Sequence, residues 1–352
     1  MNSLYCANMR LRMKQIKYRL ICFLFGDVMK WKGVFIAWSR LSNRTARYSK
    51  LLGLRLIFIK DRPPYLKAFF RTLKFLLKNN PRVIFVQLAP GPLLLLATFF
   101  KAIKHYFLVA DMHSFFLNPV SVGGVIINKP FSMFLRFCDL ILVHSNAVKE
   151  KMPSKLKCKS IVAYDPPVTM KNLEKQEEYE EFSLVFPASF AKDEPIENVI
   201  IAVKKLIKKG YKLKLFITGR YERRREIIKY ADKNIIFTGF LPSKKYYELL
   251  QKCHVILALT RVGYSLSAAA LEAMFLEKPL ILSDKPVFKS IFTKGVIYTD
   301  NSVKDLVKKI SYLIENKNVL SELKYQMIEM KKKYIKKFNL VLRVLGNIIK
   351  KL

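Results

Sequence analysis

The chain has 352 residues, 51% of them apolar and 13% aromatic, enough to build two ordinary domains with their own cores and too apolar for a disordered chain. Sixty-four Lys and Arg against 26 Asp and Glu leave a formal charge of +38. Such a field draws polyanions, whether nucleic acid, an anionic bilayer or a diphosphate, and by itself does not choose among them.

The five cysteines stand singly, with no CxxC or Cys/His ligand spacing, so neither a disulfide framework nor a zinc site is indicated and a reducing cytoplasm is expected. The longest nearly apolar run, Leu88–Phe100, is broken by Pro90, Gly91 and Pro92. A bilayer needs about 20 consecutive apolar residues, so no transmembrane helix is expected.

In chain order, residues 1–28 read as a basic amino-terminal extension. Leu20–Phe25 is their only apolar core, and no small-residue cleavage site follows it. A βα rhythm then starts at Met29. Gly33–Trp38, Leu54–Ile59, Val83–Leu88, Tyr106–Ala110 and Leu140–His144 are short apolar runs of strand length, the last closing this half. Ser39–Arg47 is a polar, Arg-bearing turn that opens a helix to Leu52. From Leu66 to Lys78 the apolar residues recur at helical spacing, with Lys67, Arg71, Lys74 and Lys78 on the other side. That pattern reads as a helix packed on the sheet with a solvated face, with contact to anionic lipid as its alternative. Alternating strands and helices predict a parallel, doubly wound sheet over residues 29–168.

Residues 169–182 turn acid-rich and predict a linker. A second domain over 183–334 opens with the strand Ser183–Pro187, a loop to Pro195 and the helix Ile196–Lys208. Leu213–Thr218 and Ile235–Thr238 follow as strands, separated by a very basic helix, Glu222–Tyr230. Ser243 is a natural N-cap for the next helix. Val255–Leu259, the turn through Arg261 and Gly263, the helix Ser267–Phe275 with its one acid Glu272, and the strand Pro279–Leu282 then make one βαβ unit. Its loop and helix start lie at the carboxyl edge of the sheet, where open α/β sheets bind ligands and a helix start favours phosphate. Residues 335–352 read as a basic carboxy-terminal helix placed to cross back to the first domain. The last 22 residues carry eight Lys or Arg and no acid.

The stretch RVGYSLSAAALEAM followed by EKPLILSD resembles the nucleotide-sugar site of GT-B glycosyltransferases. IFVQLAPGPLLLLATFF and YFLVADMHSFFLNP are similar to the amino-terminal half of the mannosyltransferases that extend lipid-linked chitobiose. VFPASFAKDEPIENVIIAV and FTGFLPSKKYYELLQKCHVIL are similar to the second-domain stretches of the class, so the likeness covers about Lys32 to Lys337. It implies two Rossmann-like domains facing across a cleft.

Carried over residue by residue, the resemblance makes Glu272 the ribose ligand and the backbone near Gly263 and Ser267 a diphosphate contact. Ser189 and Lys192 stand in the loop where the class places a basic pair, with the usual Arg missing. Arg220 and Arg261 are further candidates for the diphosphate, because a point-charge Lys or forked Arg suits it. Asp111 and His113 match a D-x-H pattern at a strand's carboxyl end. His113 is the candidate acid/base on the acceptor side, with Asp111 orienting it. Where retaining family 4 enzymes carry a second Glu, this chain has Tyr264, which leans towards inversion.

The implied activity is transfer of a hexose, mannose-like in preference, from a nucleoside-diphosphate sugar to a membrane-associated, polyprenyl-linked saccharide. Neither metal nor other cofactor is expected, since no DxD motif ends a strand. The expected partners are the donor, the lipid-linked acceptor and an anionic leaflet, with no nucleic acid and no obligate protein. The expected place is cytoplasmic, peripheral on the inner face of the membrane. Two alternatives stay open: a basic nucleic-acid-binding protein, supported by the runs Arg223–Arg225 and Lys331–Lys337, and a catalytically inactive GT-B scaffold.

Overall fold

The computed structural model describes residues 33–113, 116, 126–168 and 174–352. The expected extension over 1–28 lies outside the described residues, as does the start of the 169–182 linker. The chain divides into two compact units. One runs to Pro166 and takes in Lys336–Leu352, and the other is Pro167–Ile335.

The first unit holds a six-stranded sheet made of β1 (Gly33–Trp38), β2 (Arg55–Ile59), β3 (Val83–Leu88), β4 (Phe107–Met112), β5 (Leu140–Val143) and β6 (Ser160–Val162). The order is β2-β1-β3-β4-β5-β6, with every pairing parallel. Every residue of β1, β3, β4 and β5 is buried, which is why these strands read as continuous apolar runs and not as alternating ones. β6 is absent from the sequence reading, which closed this half at β5. Three residues on a sheet edge, with Ser160 among them, give no apolar run to detect.

The strand order reverses between β1 and β3, the switch point of a doubly wound sheet. The register of β3 with β4 sets Gln87 beside Asp111 at the carboxyl ends. Gln87 ties the neighbouring loop down: its Oε1 accepts from the Ser42 amide at 3.1 Å and its Nε2 donates to the Arg40 carbonyl at 2.7 Å. Ser42 then caps the helix Asn43–Leu51, its hydroxyl accepting from the Thr45 amide.

The second unit holds β7 (Phe182–Pro187), β8 (Leu213–Thr218), β9 (Ile235–Gly239), β10 (Val255–Ala258), β11 (Leu280–Ser283) and β12 (Val296–Thr299), in the order β12-β11-β10-β7-β8-β9. Again every pairing is parallel. The helix Ile196–Lys208 buries Ile196, Val199, Ile200, Val203 and Leu206, a stripe of helical period that joins Leu184, Leu215 and Leu257 in one core. The reversal falls between β7 and β10, so the loops after these two strands lie side by side at the carboxyl edge.

Two local expectations are corrected and one element is added. Ser243 does not cap: Pro242 holds the N-cap position and Ser243 is the first helical residue. The basic segment after β8 is a 3-10 stretch, Tyr221–Tyr230, interrupted at Arg224 (φ −146°, ψ 62°), not one α-helix. A further helix, Pro286–Ile291, follows β11. The final helix runs Lys317–Lys351. Tyr334 meets Phe275 of the second unit edge-on, and Phe338 meets Tyr48 of the first at 5.9 Å.

Candidate functional site

At the carboxyl end of β4 in the first unit, Asp111 is fully buried with a cation beside it. Arg44, from the helix Asn43–Leu51, donates from Nε to Asp111 Oδ1 at 2.9 Å and from Nη1 to Asp165 at 2.6 Å and to the Ala163 carbonyl at 2.7 Å. Burial alone would raise the Asp111 carboxyl, but Arg44 overrides it, aided by His113, and holds it down at about 2. Burial likewise opposes the Arg44 charge, and Asp111 and Asp165 together keep it above its ordinary value.

His113 follows the strand, with Nε2 at 3.6 Å from Asp111 Oδ2, too long for a hydrogen bond. Arg44 Nη2, Asp111 Oδ2 and His113 Nε2 are all buried without a hydrogen-bond partner among the described residues. Three unmet polar atoms in one cluster are unusual, because an unpaired buried donor or acceptor costs about 1–3 kcal/mol. A small rotation of the imidazole would satisfy Nε2 and Oδ2 together. The sequence pointed to Asp111 and His113, but not to Arg44 as their anchor.

In the second unit the carboxyl edge is built by cross-ties. Thr260, after β10, donates from Oγ1 to Asp193 at 2.6 Å and from its amide to Ser283 Oγ at 2.8 Å. Asn301 accepts from Ser283 and donates to the Thr260 carbonyl. Loops after β7, β10, β11 and β12 are thereby fixed to one another. Gly219, after β8, has φ +135°, and a Cβ there would lie 1.9 Å from the Ala188 carbonyl oxygen, so only glycine lets the β8 turn approach the β7 loop.

A cleft of about 730 Å³ opens at this switch point, lined by Phe190, Lys192, Asn198, Arg223, Arg224 and Arg261, with Glu197 and Glu226. Arg224 engages both carboxylates. Among the described residues the Arg223 and Arg261 guanidinium groups donate to the backbone carbonyls of Ser189 and Lys192 and form no ion pair. Lys192, Arg223 and Arg261 therefore present charge that no described carboxylate neutralises. Sequence reasoning singled out Lys192 and Arg261. It missed Arg223 and Arg224 here, having used the run Arg223–Arg225 only as support for the nucleic-acid alternative.

The other expected donor residues fall elsewhere. Ser189 gives both its amide and its hydroxyl to Glu194 Oε1 at 2.9 Å, so an internal carboxylate already occupies them. Burial raises that Glu194 carboxyl. Arg220 is exposed, its guanidinium over the Phe240 ring at 5.1 Å, and does not line the cleft. Gly263 and Ser267 do not line it either; Gly263 accepts from the Val287 amide, and Ser267 is the N-cap residue of Ala268–Phe275 without a side-chain cap bond.

Glu272 lies on that helix, and both its oxygens are held from the helix Ser243–Lys252. Tyr246 donates to Oε2 at 2.6 Å and Tyr247 to Oε1 at 3.4 Å. The two phenols, one on each oxygen, fix the orientation of the carboxylate.

Among the described residues no cluster of His, Cys, Asp and Glu could hold a metal. Burial pushes the Cys138 and Cys253 thiols up to about 12, so neither suits a nucleophile.

Residues 170–334 match the family profile of glycosyl transferases group 1. Over those residues the chain is similar to that family, and its two parallel six-stranded sheets have the GT-B architecture. Across nearly its whole length the chain superposes on solved structures of low identity. A glycosyltransferase from Rickettsia africae gives a TM-score of 0.68 at 12% identity, covering 92% of this chain and all of the other. The HepE protein of Anabaena in complex with UDP-glucose gives 0.67 at 11%, over 89% of this chain and 99% of that one. Sucrose-phosphate synthase from Thermosynechococcus elongatus gives 0.66 at 12%, over 90% and 100%. No curated protein matches the chain. At these identities the superpositions establish the chain's two-sheet architecture.

Proposed function

We propose that the enzyme moves a hexose from a nucleoside-diphosphate sugar, bound to the second unit, onto a hydroxyl of a membrane-associated, polyprenyl-linked saccharide. The observation that carries this reading is the switch-point cleft, where Lys192, Arg223 and Arg261 offer unneutralised charge to a diphosphate. Its volume is within the range of about 300–1,000 Å³ typical of small-molecule sites. Because a structural neighbour was solved with UDP-glucose, uridine donors are the first to test.

In the proposed reaction the acceptor oxygen forms a bond to the anomeric carbon as the bond to the diphosphate oxygen breaks. The diphosphate leaves as an anion, and fixed cations stabilise it without reorganising. Once the imidazole turns onto Asp111, the carboxylate keeps the His113 proton on Nε2, so that Nδ1 takes the proton from the acceptor hydroxyl. Tyr264, in the place of a second carboxylate, supports an inverting course. Glu272, held by Tyr246 and Tyr247, accepts from the donor ribose. The charge of +38 suits a peripheral position on an anionic inner leaflet, and neither metal nor other cofactor enters the scheme.

A panel of labelled nucleotide sugars, with membranes supplying the acceptor, tests the reading. Glu272→Ala should weaken donor binding at least tenfold, the equivalent of one charged hydrogen bond of about 1.5–3 kcal/mol. Full transfer by that variant would remove Glu272 from the donor site. Donor binding without product, for every sugar tried, would instead identify an inactive scaffold.

A further inference from the structure

The described residues expose sixteen large apolar side chains, and nine of them fall on, or just before, three neighbouring elements of the first unit. On the helix Leu66–Lys78, Leu66, Phe70 and Leu77 are about 60% exposed. On the helix Pro92–Lys104, Leu95, Phe99 and Ile103 form an i, i+4, i+8 row, with Phe99 at 62%. Ile126, just before the 3-10 stretch Lys129–Phe137, and Met133 and Phe137 within it, add three more.

The three elements lie side by side. Lys104 donates to the Leu77 and Asn79 carbonyls beside the first helix, and Lys101 donates to the Phe137 carbonyl at the end of the 3-10 stretch. The expectation for Leu66–Lys78 was that its apolar side packs inward, yet half of that side faces out.

The charge on this face has one sign. The two helices and the 3-10 stretch contain no Asp or Glu. Lys67, Arg71, Lys74, Lys78, Lys129 and Arg136 are exposed on the same elements as the apolar residues. A protein partner of ordinary composition would leave these cations unmatched, whereas an anionic lipid surface takes both: headgroups meet the ammonium and guanidinium groups, and acyl chains meet the rings. Scattered exposed apolar residues are ordinary, but this concentration is not.

We infer that the outer face of Leu66–Lys78, Pro92–Lys104 and Lys129–Phe137 is a docking surface for an anionic bilayer. The inference is independent of the donor-site reading, because none of these residues lines the cleft or touches Glu272.

Flotation of the full chain with phosphatidylglycerol–phosphatidylcholine vesicles tests it, with pure phosphatidylcholine as the comparison. Binding should require the anionic lipid, fall with salt, and weaken roughly fivefold for each exposed Lys or Arg of this face changed to Ala. Phe99→Glu should abolish flotation while circular dichroism and UDP binding persist. Phe99→Trp, which preserves bulk, should bind as the parent does and shift its emission to the blue on anionic vesicles only. Flotation that ignores Phe99→Glu together with an unshifted tryptophan would overturn the proposal. So would self-association in place of vesicle binding, which would assign the face to a second copy, or tight duplex DNA binding that displaces the vesicles.

Discussion

Asp111 is held as an anion in a fully buried position, and that condition depends chiefly on one side chain, Arg44. The carboxyl sits below its unfolded value of 3.8, at about 2, so its stabilising contribution is complete above about pH 4 and is lost as pH falls towards 2. Arg44→Gln reverses the sign: burial without a cation raises the carboxyl, so the variant should gain stability relative to its own pH 7 value as the solution is acidified towards pH 4. Removing one partner of a buried pair costs about 3–5 kcal/mol at neutral pH. Urea unfolding of both proteins at a series of pH values gives the two slopes, and parallel slopes would refute the account. Tyr246 gives the complementary case at the alkaline end. Burial first, and then the Glu272 charge, lift its phenol well above 10, so its contribution is present below pH 10 and lost as pH rises beyond it. Tyr246→Phe should flatten the alkaline limb of the stability profile.

Among the elements, the strands were legible wherever a parallel strand is buried on both faces, because burial forces a continuous apolar run; β3 and β8 were bounded to the residue. What escaped was set by tertiary partners. The 3-10 stretch Tyr221–Tyr230 breaks at Arg224, whose guanidinium serves Glu197 from 27 residues earlier, and helical spacing cannot reveal such a partner. Arg44 and Asp111 are 67 residues apart, so the D-x-H pattern could be seen and its anchor could not. Glu194 could not be foreseen as the group that takes the Ser189 amide, because only the folded loop brings the two together. Gly219 concerns the same loop. Gly219→Ala combines a strained φ with a 1.9 Å approach to the Ala188 carbonyl, and should cost about 3 kcal/mol or more. As the loop shifts with it, donor affinity should fall in parallel with stability. Binding calorimetry on the variant checks this, and unchanged affinity would detach the β7 loop from the donor site.

For the whole molecule, no helix of the described residues is long and apolar enough to cross a membrane. The two units are nevertheless not successive lengths of chain, because residues 336–352 belong to the first. Phe338, Leu345, Ile348 and Ile349 on that last stretch are all under 8% exposed, with Phe338 against Tyr48. At about 1.5–3 kcal/mol per buried side chain, four of them supply roughly 6–12 kcal/mol as an upper figure. A domain's whole stability is only about 5–15 kcal/mol, so the first unit should not survive without this segment. The second unit buries its core on residues before Ile335 and should be indifferent. Truncation after Ile335 should therefore convert a chain with two protease-resistant units into one with a single resistant unit matching residues 167–335. That product should still bind nucleotide through its cleft while losing vesicle binding. A truncated chain whose first unit stayed resistant would show that the returning helix only decorates that unit.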